Sequence, residues 1–64
     1  DPTGPRAHNN LGIALARMGR LPEAERHFRE ALRLDPGYSA ARQNLERLLR
    51  LTGRGGEASP TERE

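Results

Sequence analysis

Apolar residues recur at helical spacing in three stretches of the chain, with short breaks between them. In the first stretch Ala7, Leu11, Ala14, Leu15 and Met18 fall on one face, which predicts a helix over about 5–18. Pro5 suits its first turn, where a missing N–H costs no hydrogen bond, and Gly19 follows as a left-handed cap. In the second stretch Ala24, Phe28, Ala31 and Leu32 share a face, flanked by Leu21 and Leu34. This predicts a helix over about 22–34, with Pro22 in its first turn and Glu23 and Glu25 at the positive end of its dipole. Asp35-Pro36-Gly37 stops it, because proline disfavours helical geometry in the residue before it. In the third stretch Ala41, Leu45, Leu48 and Leu49 form an inner face, which predicts a helix over about 38–51 with Gly53 beyond it.

Shifting the chain by 34 residues against itself adds a second pattern. Asp1-Pro2 returns as Asp35-Pro36, Ala7 as Ala41, Asn10-Leu11 as Asn44-Leu45, Leu15 as Leu49 and Gly19-Arg20 as Gly53-Arg54. The register then ends, since Gly55-Gly56-Glu57-Ala58 cannot begin another amphipathic helix where Leu21-Pro22-Glu23-Ala24 began one. The chain therefore reads as one full repeat and the first half of another, and Asp1-Pro2 reads as the tail of a preceding repeat. Within the full repeat the spacing is Leu11-Gly12, Leu15, then Ala24 and Phe28, then Pro36. This resembles the tetratricopeptide repeat, a helix–turn–helix unit of about 34 residues with the pattern W-x2-L-G-x2-Y, A-x3-F and P. His8 stands in the tryptophan slot and Leu15 in the tyrosine slot.

The expected fold is all-α: a helical hairpin plus a capping helix over residues 1–54. The cap assignment comes from two changed positions. Gly12, where the first two helices should approach closely, is answered by Glu46, and His8 by Arg42. Buried without partners, these charges would cost several kcal/mol, so the outer face of the third helix belongs in water, as the end of a repeat array requires. Residues 55–64 are Gly-rich and charged without an apolar pattern, and are expected to be disordered.

Composition narrows the function. With 64 residues there is room for one small domain. There is no cysteine, which removes disulfides and thiolate chemistry, and no apolar run reaches the roughly 20 residues of a membrane helix. No signal peptide is visible, and a cytoplasmic setting is favoured over a secreted one. All eleven basic residues are arginine. Residues 1–54 hold ten arginines against six acids, and residues 55–64 hold Arg63 against three glutamates. A body charge of +4 suggests acidic partners but is too weak to argue for nucleic acid. Phe28 and Tyr38 are the only aromatic residues, so no stacking platform for bases is present.

Catalytic and cofactor chemistry finds no support in the sequence. Ser39, Ser59, Thr3 and Thr52 sit in expected caps, turns or the tail, and no nucleophile–base set accompanies them. Gly53-Arg54-Gly55-Gly56 is not followed by a helix, so it does not cradle phosphate. His8 and His27 lie on different helices without a second ligand one turn away, and metal binding would need another histidine or carboxylate. The alternating Glu23, Glu25, Arg26, Arg29, Glu30 and Arg33 read as a solvated face with pairs worth about 0.2–0.5 kcal/mol each.

The resemblance implies a site. In tetratricopeptide proteins the first helix of each repeat lines a concave groove that holds an extended peptide. The groove residues here would be Arg6, Asn9, Asn10, Ile13 and Arg17, with Ala40, Gln43, Asn44, Arg47 and Arg50 from the third helix. Amides suit a peptide backbone, and arginines fork onto carboxylates. Family members that clamp the C-terminal carboxylate of heat-shock chaperones use lysine where Asn9 stands and asparagine where Ile13 stands; neither position matches, and only the later asparagine of that set, at Asn44, fits. The helix expected on the convex side carries Glu23, Glu25, Glu30 and Asp35 against Arg26, Arg29 and Arg33, so the concave side should be the positive one. The expected function is a non-catalytic module that binds an acidic peptide, in a longer protein. One rival is self-association through the free face of the first helix; another is the accessory end of a larger enzyme.

Overall fold

The structure is a computed structural model, and it describes residues 3–53. The expected tail at 55–64 lies outside them. Helix α1 spans Pro5–Arg17, α2 Leu21–Leu34 and α3 Ser39–Thr52. The first helix stops one residue short of the expected Met18. Met18 is its cap, with its N–H on the carbonyls of Ala14 and Leu15 at 3.2 and 3.1 Å, and Gly19 turns the chain at φ +82°. The second helix starts one residue early, at Leu21, which leaves Pro22 still inside the first turn. The third runs from Ser39 to Thr52 and closes on Gly53 at φ +78°. Between α2 and α3 the Asp35 carboxylate accepts from the Gly37 N–H at 3.2 Å, and the Tyr38 N–H donates to the Asp35 carbonyl at 3.0 Å. The short break is thus a hydrogen-bonded turn.

Helix α2 is the shared wall. It packs extensively on α1 and also on α3, whereas α1 and α3 meet at few points. The core consists of Ala24, Phe28, Ala31, Ala41, Leu45 and Leu48. Ile13, Leu15, Ala16, Leu21, Leu32 and Leu49 are half-buried around it. Gly12 is buried in α1, and a Cβ there would come 2.6 Å from the Phe28 ring. The glycine therefore sets how near α1 and α2 can lie.

Two sequence expectations change. The apolar stripe of α1 packs only in part: Leu15 is half-buried against the core and Ala7 is half-buried, but the rest of the stripe faces out. Leu11 is 45% and Met18 61% exposed, and Ala14 is exposed too. Helix α1 instead turns Asn9 and Gly12 inward, because the crossing with α2 is built on the small residue and the Phe28 ring. Second, α2 is not a uniformly solvated charged face: Glu25 is buried at 7%. Its carboxylate accepts from the Arg29 Nε at 2.8 Å, which compensates the charge. Arg42 and Glu46 on α3 are exposed, as the cap reading requires.

Candidate functional site

The crossing of α1 and α3 leaves a concavity of about 390 Å³ lined by Ile13, Ala16, Arg17, Phe28, Asn44, Arg47, Leu48 and Leu51. Helical spacing explains its walls. Ile13 and Arg17 are one turn apart on α1, and Arg47 and Leu51 are one turn apart on α3. Phe28 reaches the floor from α2.

Of the groove residues expected from sequence, Ile13, Arg17, Asn44 and Arg47 come together here. Asn9 is buried at 5%, and its side-chain carbonyl accepts from the Asn44 amide at 3.0 Å. This bond ties α1 to α3 beside the concavity, so Asn9 acts on the site by fixing the distance between its walls. Arg6 lies elsewhere, with Pro5, Asp35 and Tyr38 around a separate hollow. Asn10, Ala40, Gln43 and Arg50 are exposed and do not line the concavity. Ala16, Phe28, Leu48 and Leu51 were not expected there. Leu51 had a readable signal: it lies 34 residues after Arg17, the same register position.

Three arginines form ion pairs among the described residues. Arg20, Arg29 and Arg33 are paired with Glu23, Glu25 and Glu30 respectively. The hydrogen bond from Arg33 holds the Glu30 carboxyl below its ordinary range, with the nearby charges of Arg33, His8 and His27 adding to the effect. Glu30 in turn raises the Arg33 guanidinium. Arg17 and Arg47 have no ion-pair partner among the described residues. Their positive charge therefore stays open on the concave side; Arg6, Arg26, Arg42 and Arg50 likewise have no ion-pair partner among the described residues, and on α2 Arg29 and Arg33 are neutralised locally.

A second cluster was not legible in the sequence. His8 and His27 meet across α1 and α2 with Nδ1 atoms 3.1 Å apart and rings stacked at 5.3 Å between centroids. One nitrogen must donate and the other accept. His8 thus fills its slot by pairing with a second imidazole. Among the described residues no group of three His, Cys, Asp or Glu side chains could hold a metal ion, and no helix is long and apolar enough to cross a membrane.

An antiparallel helix pair fixed by a small residue under an aromatic ring, followed by a third helix in the same register 34 residues on, defines a helical repeat unit. The family model of the tetratricopeptide repeat matches residues 5–38, more than half of the chain. The chain belongs to the tetratricopeptide repeat family, whose members are in general protein–protein interaction modules. Among curated proteins it is similar to a protein O-mannosyl-transferase of Caenorhabditis elegans, 46% identical over 48 residues. It is also similar to a TPR repeat-containing thioredoxin of Arabidopsis thaliana, 45% identical over 47 residues. These matches cover 75% and 73% of this chain but 7% of each relative. No solved structure gives a significant match.

Proposed function

We propose that this domain is a non-catalytic module that binds an acidic peptide segment in the concavity between α1 and α3. The observation that carries this reading is the convergence of two arginines: Arg17 from α1 and Arg47 from α3, neither with an ion-pair partner among the described residues, line one concavity. Unpaired guanidinium groups are ready donors for carboxylates. Each contact is exposed, so binding should be micromolar or weaker and should fall with salt, because screening acts over about 8 Å at physiological ionic strength. The transferase and thioredoxin names of the relatives belong to proteins of which this chain spans a small part, and the domain would serve such a protein as an accessory.

The test is a chemical-shift titration with an acidic peptide at low and at physiological salt. Shifts along α1 and α3 that weaken with salt are expected, and reversing Arg47 to glutamate should remove them without altering the circular dichroism. Shifts confined to α2, or none at all, would sink the reading.

A second reading has its own support. Leu11, Ala14 and Met18 leave an exposed apolar stripe on α1, which a second copy could cover. Sedimentation at increasing concentration distinguishes this reading, since it expects the mass to rise and the peptide-binding reading does not.

A further inference from the structure

We infer that the peptide is held by one bulky aliphatic side chain seated in the concavity, with acidic residues beside it. This rests on the peptide-binding reading above and names the chemistry of the segment.

The concavity is not a polar groove. Its floor and sides are Ile13, Ala16, Phe28, Leu48 and Leu51, and the polar groups are Arg17, Asn44 and Arg47. Leu51 is 72% exposed, a large aliphatic group held in water beside the buried Phe28 and Leu48 and the half-buried Ile13 and Ala16. The two walls carry the same pair of chemistries in opposite order. Ile13 precedes Arg17 on α1, and its register equivalent on α3 is Arg47; Arg17 has Leu51 as its equivalent. Aliphatic and guanidinium groups therefore alternate around the opening. A volume of about 390 Å³ lies near the lower end of the usual range for ligand sites, about 300–1,000 Å³, which suits a single side chain with its backbone. A purely acidic segment would leave the apolar floor wet, and a purely apolar one would leave both arginines unpaired.

Other occupants fit less well. A second copy docking through the same groove about a two-fold axis would bring two arginine-bearing grooves together, and like charges across an interface oppose association. The chain's own residues 54–64 offer acids but no large aliphatic or aromatic side chain.

The test uses the whole chain, labelled at its methyl groups, and three peptides. The first is Asp-Glu-Leu-Glu-Asp, the second has alanine for the leucine, and the third has amides for the four acids. The first peptide is expected to shift the methyl signals of Ile13, Leu48 and Leu51, and the second and third to bind at least about tenfold more weakly. Leu51→Asn, at an exposed position, should lower affinity for the first peptide by a similar factor with an unchanged melt. If the alanine peptide binds as tightly as the leucine peptide, the anchor is overturned while acidic-peptide binding survives. If neither acidic peptide binds, both readings fall.

Discussion

Helices α1 and α3 occupy the same register positions 34 residues apart, yet their equivalent side chains have different fates. Ala41, Leu45 and Leu48 are buried at 0, 8 and 2%, while Leu11 is 45% exposed and Ala14 is exposed and Ala7 half-buried. The residues are alike; the neighbour is not. Helix α2 covers that face of α3, and no described helix covers it on α1. On the opposite side the relation reverses. Gly12 is buried under Phe28, whereas Glu46 at the equivalent position is exposed. An amphipathic stripe thus states what a face can bury, and only the packing partner decides whether it does.

Phe28→Ala should have the largest effect, because the ring serves the α1 crossing and the core at once. Such truncations cost about 3–5 kcal/mol, and a scaffold of this size rarely has more than about 3–5 in total. Loss of helical circular dichroism is expected; a cooperative melt in the variant would mean the ring is dispensable. Next comes a pair that probes the register directly. Leu45→Ala should cost about 2–5 kcal/mol, and Leu11→Ala, at the equivalent position, should stay near the roughly 0.5 kcal/mol typical of surface changes. Equal shifts in Tm would show that the stripe on α1 is covered in solution. The reverse pair follows. Gly12→Leu should cost about 1–3 kcal/mol or more from forced displacement of the Phe28 ring, while Glu46→Leu should be close to neutral. Similar melts for these two would contradict the end-cap role of α3.

The smallest effect belongs to Glu30. Its folded-state value is lowered, chiefly by the hydrogen bond from Arg33. Its contribution is therefore present above the ordinary carboxylate range and is lost as pH falls through the lowered folded value. The pair is exposed, so the contribution is small. Glu30→Gln should lower Tm slightly at neutral pH, where the contribution is present, and leave Tm in acid unaffected, so that a slight acid-side decline flattens; an unchanged Tm-against-pH profile would remove the pair from the account.

The fold was legible because its determinants are local in sequence. Leu11-Gly12, Ala24, Phe28 and Pro36 each state a packing or stopping requirement at a fixed interval. The site was legible only in part. Arg17 and Arg47 could be placed on the correct faces by helical spacing, and Ile13 and Asn44 with them. Which of those faces converge depends on the crossing of α1 with α3, and periodicity within one helix carries no information about that angle. Hence Arg6 falls at a different hollow, Asn9 turns inward onto Asn44, and Leu51 joins the opening. The contact of His8 with His27 is of the same kind, since it follows from the register between two helices.

The unequal ends of the molecule also limit the symmetry of any assembly of copies. Repeated head-to-tail growth would lay the apolar stripe of α1 against the outer face of α3, where Arg42 and Glu46 stand exposed, and burying those charges without partners would oppose it. Stripe against stripe has no such obstacle, and it is a two-fold arrangement that uses up the apolar surface of both copies. The same two charges that let α3 end the core in water therefore favour a closed pair over an open filament.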